Sequence, residues 1–201
     1  MKAIRFFFAR KKQPITYFSN NVKSLITRDP RLWTQDIYSE IVVNLQFTLN
    51  GKPSKVDCEA ADTLAEVLRN QLNLNGTKVS CEVQVCGACT VLVDGAPVSA
   101  CTYLAYEARG KSVTTIEGLE KSNGTLHPLQ QAFIDDFAFQ CGYCTPGMIM
   151  AAKALLDENP KPSRDQIIHH MDGNICRCTG YVPIVAAIER AAEAMAKETK
   201  T

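Results

Sequence analysis

The chain is short of net charge, of long apolar runs and of anything that reads as an export signal, and each shortage removes a class of function. Its 22 Lys and Arg nearly balance 21 Asp and Glu, leaving a net charge of +1. Nucleic-acid binding rests on a clustered basic face that neutralises phosphates, so nucleic acid is not expected as a principal partner. No apolar stretch is long enough to span a bilayer, so the chain is read as not membrane-spanning. The opening MKAIRFFFARKKQPITY scatters charge through its first apolar run, so no secretory h-region is read there, and a twin-arginine pair is missing. A paired catalytic acid and base is not evident either: Asp135-Asp136 and Asp157-Glu158 read as solvated helix faces.

Cysteine is what the chain has in quantity. Eight of its nine cysteines form two groups of four, Cys81-x4-Cys86-x2-Cys89-x11-Cys101, and Cys141-x2-Cys144 followed by Cys176-x-Cys178. The first spacing is the one by which plant-type ferredoxins wrap a loop around a [2Fe–2S] cluster. A disulfide framework is disfavoured without a secretory context. A structural zinc pair is the competing reading, because Cys141-x2-Cys144 has knuckle spacing; the x4 gap and the one-residue gap of Cys176-x-Cys178 speak for iron–sulfur instead. Cys58 has no spaced partner and reads as a buried apolar thiol. His169-His170, near a helix end, receives no role.

The pattern along the chain predicts an α+β fold. Residues 1–40 hold eight Lys and Arg against three acidic residues, while the remainder holds fourteen against eighteen. That basic N-terminal extension, with its FFF and ITYF runs, is expected to pack on a partner subunit or to lie as an amphipathic arm. From Ile41, alternation of Val43, Leu45, Phe47 and Leu49 predicts a strand, Asn50-Gly51 a type I′ turn, and Lys55–Cys58 its partner strand. Thr63-x-x-Glu66 is a capping box for a helix lined by Leu64, Val67, Leu68 and Leu72. After the first cysteine loop come a hairpin, Thr90–Val93 and Ala96–Ser99 around Asp94-Gly95, and a strand over Ser112–Ile116. Later signals are helical. One helix follows His127-Pro128 through about Ala138, with Leu129, Phe133, Ile134 and Phe137 inward; Thr145 caps another through Glu158; Ser163-x-x-Gln166 caps a third to Met171; Pro183 opens the last.

Three segments then carry a resemblance. Gly76–Cys101 (GTKVSCEVQVCGACTVLVDGAPVSAC), Phe139–Met148 (FQCGYCTPGM) and Gly173–Tyr181 (GNICRCTGY) resemble, in order, the three signatures of the iron–sulfur subunit of molybdenum hydroxylases, the xanthine dehydrogenase and aldehyde oxidoreductase family. The resemblance implies a β-grasp, plant-type ferredoxin-like domain over residues 41–117 and a four-helix [2Fe–2S]-binding domain over residues 126–197. It implies two [2Fe–2S] clusters, on Cys81, Cys86, Cys89 and Cys101 and on Cys141, Cys144, Cys176 and Cys178. It implies electron transfer in the cytoplasm, from molybdopterin (the cytosine dinucleotide form in bacterial members) on a large subunit to FAD on a medium subunit or to another acceptor. Gln140 and Cys178 match positions that face the pterin. Ser80 and Gln84 stand where the family commonly has glycines, which permit positive φ and close backbone approach to sulfur. A zinc-stabilised interaction module and a free-standing ferredoxin-like carrier are the rival functions.

Overall fold

A computed structural model describes residues 42–121 and 123–198. The basic extension and Ile41 lie outside the described residues. The first two strands, β1 (Val42–Leu49) and β2 (Lys52–Glu59), form an antiparallel hairpin that turns through Asn50 (φ 50°) and Gly51 (φ 77°). Both central turn residues are left-handed, as a type I′ turn requires. Leu45 and Phe47 point inward while Asn44 and Gln46 face solvent, the period-2 pattern of a half-buried strand.

The capping box forms as the sequence predicts: Thr63 Oγ1 accepts from Glu66 N–H, and the Glu66 carboxylate accepts from Thr63 N–H at 2.8 Å. The helix is α1 (Leu64–Glu66) for a single turn and continues as a wider π segment over Val67–Gln71, with Leu72 N–H donating to Val67 C=O at 3.1 Å. Leu64, Val67 and Leu68 are buried against the sheet and Leu72 packs at its margin. From the π segment Arg69 donates to the carbonyls of Asn75 and Thr77, at 3.2 and 2.7 Å, and so holds the chain that enters the first cysteine loop.

The second hairpin has the predicted bounds, β3 (Thr90–Val93) and β4 (Ala96–Ser99). The next strand, β5 (Ser112–Thr114), is shorter than expected, and Ile116 starts a 3₁₀ turn instead. The reason is local: Asn50 Oδ1 accepts the Thr115 N–H at 2.9 Å, which ends the ladder. The sheet order is β2-β1-β5-β3-β4, with β1 and β5 parallel and the remaining neighbours antiparallel. Pro53 lies on one outer strand and Pro97 on the other, positions where a missing N–H is tolerated.

Four helices follow: α2 (Pro128–Asp135), α3 (Thr145–Glu158), α4 (Arg164–Met171) and α5 (Val182–Glu198). Helix α2 stops earlier than its apolar pattern suggests. Phe137 turns left-handed (φ 51°), its N–H bonds to Ile134 C=O, and Ala138 N–H returns to Phe133 C=O at 2.9 Å. That is a Schellman ending with phenylalanine in the place glycine usually takes. Leu129 and Phe133 are buried as expected, but Ile134 is exposed and Phe137 is 80% exposed.

Thr145 does not cap helix α3 but is its first residue, because Cys144 before it is already helical (φ −79°, ψ −16°) and makes no side-chain cap. Helix α4 has the predicted Ser163/Gln166 capping box, and Ile184, Ala187, Ile188 and Ala191 of α5 are all fully buried. Strand β3 joins the two apolar cores: Val91 and Val93 face the sheet core, whereas Leu92 on the opposite face packs among the helices. Each fully buried Leu or Val stabilises by roughly 1.5–3 kcal/mol, so β3 ties both halves together through both of its faces. Among the described residues no helix is long and apolar enough to cross a membrane.

Candidate metal centres in the cysteine loops

The loop from Cys81 to Cys89 folds back on itself through left-handed residues Glu82 (φ 57°), Gln84 (φ 59°) and Gly87 (φ 67°). Such a run turns successive peptide N–H groups toward one point and makes a pocket for negative charge. The N–H groups of Val85 and Cys86 each donate to Cys81 Sγ at 3.4 Å. With that of Val83, they lower the Cys81 thiol to about 6. Gln84 therefore does sit where glycine would be easier, and its Oε1 accepts from the Thr102 hydroxyl at 3.1 Å. Ser80 does not: its backbone is not left-handed and its side chain is exposed, so the donors to Cys81 come from the main chain.

Cys89 and Cys101 lie deeper, and burial pushes Cys89 up to about 12, with the Cys101 thiol beside it. Cys86 contacts Cys81 in the same way. The second group repeats the plan at the helix ends. Cys141 and Cys144 occupy the turn before α3, and Cys176 and Cys178 the turn before α5. The Cys178 thiol donates to Cys141 Sγ at 3.7 Å, which raises Cys178. Cys144, pushed to about 12 by burial, lies against Cys176. Burial acts upward on Cys176 too, but the Thr179 hydroxyl and the N–H groups of Thr179 and Cys178 outweigh it and lower the thiol.

The eight thiols are thus four pairs. In each group one pair is nearer solvent (Cys81 with Cys86, Cys141 with Cys178) and one is deeper (Cys89 with Cys101, Cys144 with Cys176). Two thiolates on one tetrahedral ion with metal–sulfur bonds of about 2.3 Å stand about 3.8 Å apart, close to the Cys141–Cys178 separation. A single zinc would need all four at that spacing, yet among the described residues no three His, Cys, Asp or Glu side chains converge on one ion position. Paired thiols fit a two-iron group, in which each iron takes two cysteines. Thr145 Oγ1, next to Cys144, is buried without a hydrogen-bond partner, and a sulfur-rich anionic group would provide the missing acceptor.

The two loop systems touch. Ile175 N–H donates to Cys86 C=O at 2.9 Å, and the buried Asn174 donates to Gly87 C=O at 3.0 Å and to Thr90 Oγ1 at 3.4 Å. Tyr143 donates to Val79 C=O, and Gly147 at the start of α3 lies against the Gly87 and Ala88 carbonyls. Gln140 Nε2 donates to Cys178 C=O at 3.1 Å, so these two residues form one exposed spot.

Cys58 is buried apart from both groups, its thiol directed at Val43 C=O. His170 Nε2 lies 3.0 Å from Ala151 C=O, His169 pairs with Asp172, and Arg177 is exposed. Sequence reasoning missed Asn174, Thr179 and Tyr181. All three lie within the Gly173–Tyr181 segment that carries the resemblance, which was the signal available for them.

The pattern of a 2Fe-2S iron-sulfur cluster binding domain matches residues 47–114, and that of a [2Fe-2S] binding domain matches residues 115–189. The nicotine 6-hydroxylase small subunit of Paenarthrobacter nicotinovorans is 47% identical, over 73% of this chain and 87% of its own length. The isoquinoline 1-oxidoreductase subunit alpha of Brevundimonas diminuta is 49% identical, over 74% of this chain and 97% of its own. A chain of quinoline 2-oxidoreductase from Pseudomonas putida superposes with a TM-score of 0.75 at 46% identity, covering 78% of this chain and 97% of that one. Aldehyde oxidoreductase from Desulfovibrio gigas matches at a TM-score of 0.74 and 42% identity, over 78% of this chain and 17% of the much longer relative. With both halves of the cysteine pattern matched in order, the chain belongs to the family of small iron–sulfur subunits of molybdenum hydroxylases.

Proposed function

We propose that this chain conducts electrons within a cytoplasmic molybdenum-dependent hydroxylase. In this reading a β-grasp ferredoxin-like domain (residues 41–117) and a four-helix domain (residues 126–197) each hold one [2Fe–2S] cluster. Cys81, Cys86, Cys89 and Cys101 hold the first, and Cys141, Cys144, Cys176 and Cys178 the second. Bound clusters would supply reversible one-electron storage. The observation that carries the reading is the sorting of eight thiols into four neighbouring pairs, two in each loop system.

The protein's own residues do the positioning. Peptide N–H groups of Val85 and Cys86 favour the Cys81 thiolate, and the two apolar cores keep water from the deeper pairs. Each site is also rimmed by exposed apolar side chains, Val83 and Val85 at the first and Phe139, Tyr143 and Ile175 at the second. Such rims suit subunit contacts. At the second rim the Gln140 amide, bonded to Cys178 C=O, keeps its own oxygen as an acceptor. By the family resemblance, in which these two positions face the pterin, Gln140 and Cys178 face the molybdopterin, in its cytosine dinucleotide form, of a large subunit. The first rim faces a medium FAD-binding subunit or another acceptor, and the substrate site belongs to the large subunit.

Metal analysis of the purified complex tests this. Each cysteine quartet should account for two irons and two acid-labile sulfides, with two distinguishable EPR signals on reduction. Stoichiometric zinc, or one four-iron cluster, would overturn it. The order of the sites is tested by Cys86→Ser, which should leave substrate able to reduce the second site while turnover with an external acceptor falls steeply. Cys144→Ser should keep substrate electrons from the first site.

A further inference from the structure

The turn after Cys178 contains an arrangement that holding the ligands does not require. Thr179 Oγ1 lies 3.2 Å from Cys176 Sγ. The same oxygen accepts the N–H of Tyr181 at 3.2 Å, and Tyr181 in turn accepts the Cys176 N–H on its hydroxyl at 2.9 Å. Tyr181 is left-handed (φ 70°), immediately after left-handed Gly180 (φ 69°). For a bulky aromatic residue that conformation is costly and persists only where its surroundings over-determine it. Here they do: the Tyr181 amide, hydroxyl and carbonyl are all engaged, the last by Val185 N–H at 3.0 Å.

With Cys176 read as a ligand thiolate, which has no proton to give, the Thr179 hydroxyl is the donor to Cys176 Sγ while its oxygen also accepts the Tyr181 N–H. Cys176 belongs to the deeper pair, with 8% of its surface exposed, so water does not compete for that sulfur as it does at Cys178. Cys176 has this hydroxyl in addition to the peptide N–H groups of Thr179 and Cys178, whereas the donors to Cys81 are peptide N–H groups and Ser80 is exposed.

We propose that the Thr179 hydroxyl sets the redox potential of the second site, holding it above the value it would have with an apolar side chain at position 179. This rests on the reading of Cys176 as a cluster ligand. A hydrogen bond to a ligand sulfur stabilises the form with the extra electron more than the oxidised form, and hydrogen bonds to sulfur are among the main levers on such potentials.

Redox titration of the assembled complex, followed by EPR at each cluster, tests it. Thr179→Val should move the second cluster to a more negative potential and leave the first where it was, while Thr179→Ser should restore the wild-type value. An unmoved second potential in a fully loaded Thr179→Val complex overturns the proposal. So does an equal shift of both clusters, which would report general loosening. If Thr179→Val loses its second cluster, Thr179→Ala provides the same measurement with less crowding. Loss from both, with retention in Thr179→Ser, would make the hydroxyl an assembly element and also overturn the proposal. Iron analysis of the wild-type complex separates these results from failure of the underlying reading: zinc or no metal in the second quartet would sink that reading and this proposal with it.

Discussion

Ile175 and Cys86 are joined by a single peptide hydrogen bond of 2.9 Å, which fastens the loop carrying Cys176 and Cys178 to the loop carrying Cys86 and Cys89. The neighbouring Asn174 adds two side-chain donors to the same seam. Asn174→Ala should therefore destabilise the chain by about 1–3 kcal/mol, the usual cost of removing one partner from a buried hydrogen-bonded set. Asn174→Asp should cost more, because a carboxylate would face the Gly87 carbonyl. Denaturant unfolding of the two variants checks the ranking, and a stability equal to wild type in both would remove Asn174 from the seam.

Gly147 allows the closest approach between the halves. A Cβ there would lie 2.2 Å from the Gly87 carbonyl oxygen and 3.0 Å from that of Ala88. Both are backbone atoms next to Cys86 and Cys89, so they cannot swing aside. Gly147→Ala should cost about 1–3 kcal/mol by overpacking, or more where the loop cannot shift. A lowered melting temperature together with reduced iron retention is the expected result.

At Gln84 two effects oppose one another. Its left-handed backbone (φ 59°) costs a non-glycine residue about 1–2 kcal/mol, while its exposed contact with Thr102 returns less than that. Gln84→Gly should thus be at least as stable as wild type, and more stable than Gln84→Ala by about 1 kcal/mol. Chemical denaturation of the three proteins side by side reads the difference; an alanine variant matching the glycine variant would contradict it.

The Cys58 thiol is held above its ordinary value, first by burial and then by Asp62. A group raised in the folded state contributes stability that is complete below the unfolded value of about 8.5 and is lost as pH rises through the folded value. Stability should therefore decline on the alkaline side, and Cys58→Ser should lessen that decline. In the intact protein Cys58 should resist alkylation at neutral pH, and Cys58→Ser should leave both cluster signals in place. Loss of either signal would make Cys58 a ligand.

The features legible in the sequence were those fixed by one or two neighbouring residues. Asn50-Gly51 and Asp94-Gly95 turned as their left-handed preference requires, and the Thr63/Glu66 and Ser163/Gln166 boxes closed as read. What was missed depended either on distant partners or on backbone conformations that residue type does not announce. Ile116 left the strand because Asn50, far away in sequence, took the Thr115 amide. Phe137 ended α2 in a conformation that sequence preference assigns to glycine, and Thr145 yielded the cap because Cys144 was already helical. At the candidate site the cysteine spacing disclosed the thiols, but the seam through Asn174 and the closed turn of Thr179 and Tyr181 bring together groups whose partners only the folded chain supplies.

Pro53 and Pro97, on the two margins of the sheet, bear on how this chain avoids unwanted company. A strand arriving from another molecule would meet a position without an amide to share at either margin, and near β2 it would also meet the charges of Lys52 and Lys55. Edge-to-edge growth, the first step toward fibrils, is discouraged on both sides. In the proposed reading, recognition of other subunits falls instead to the loops and helix ends that rim the cysteine sites.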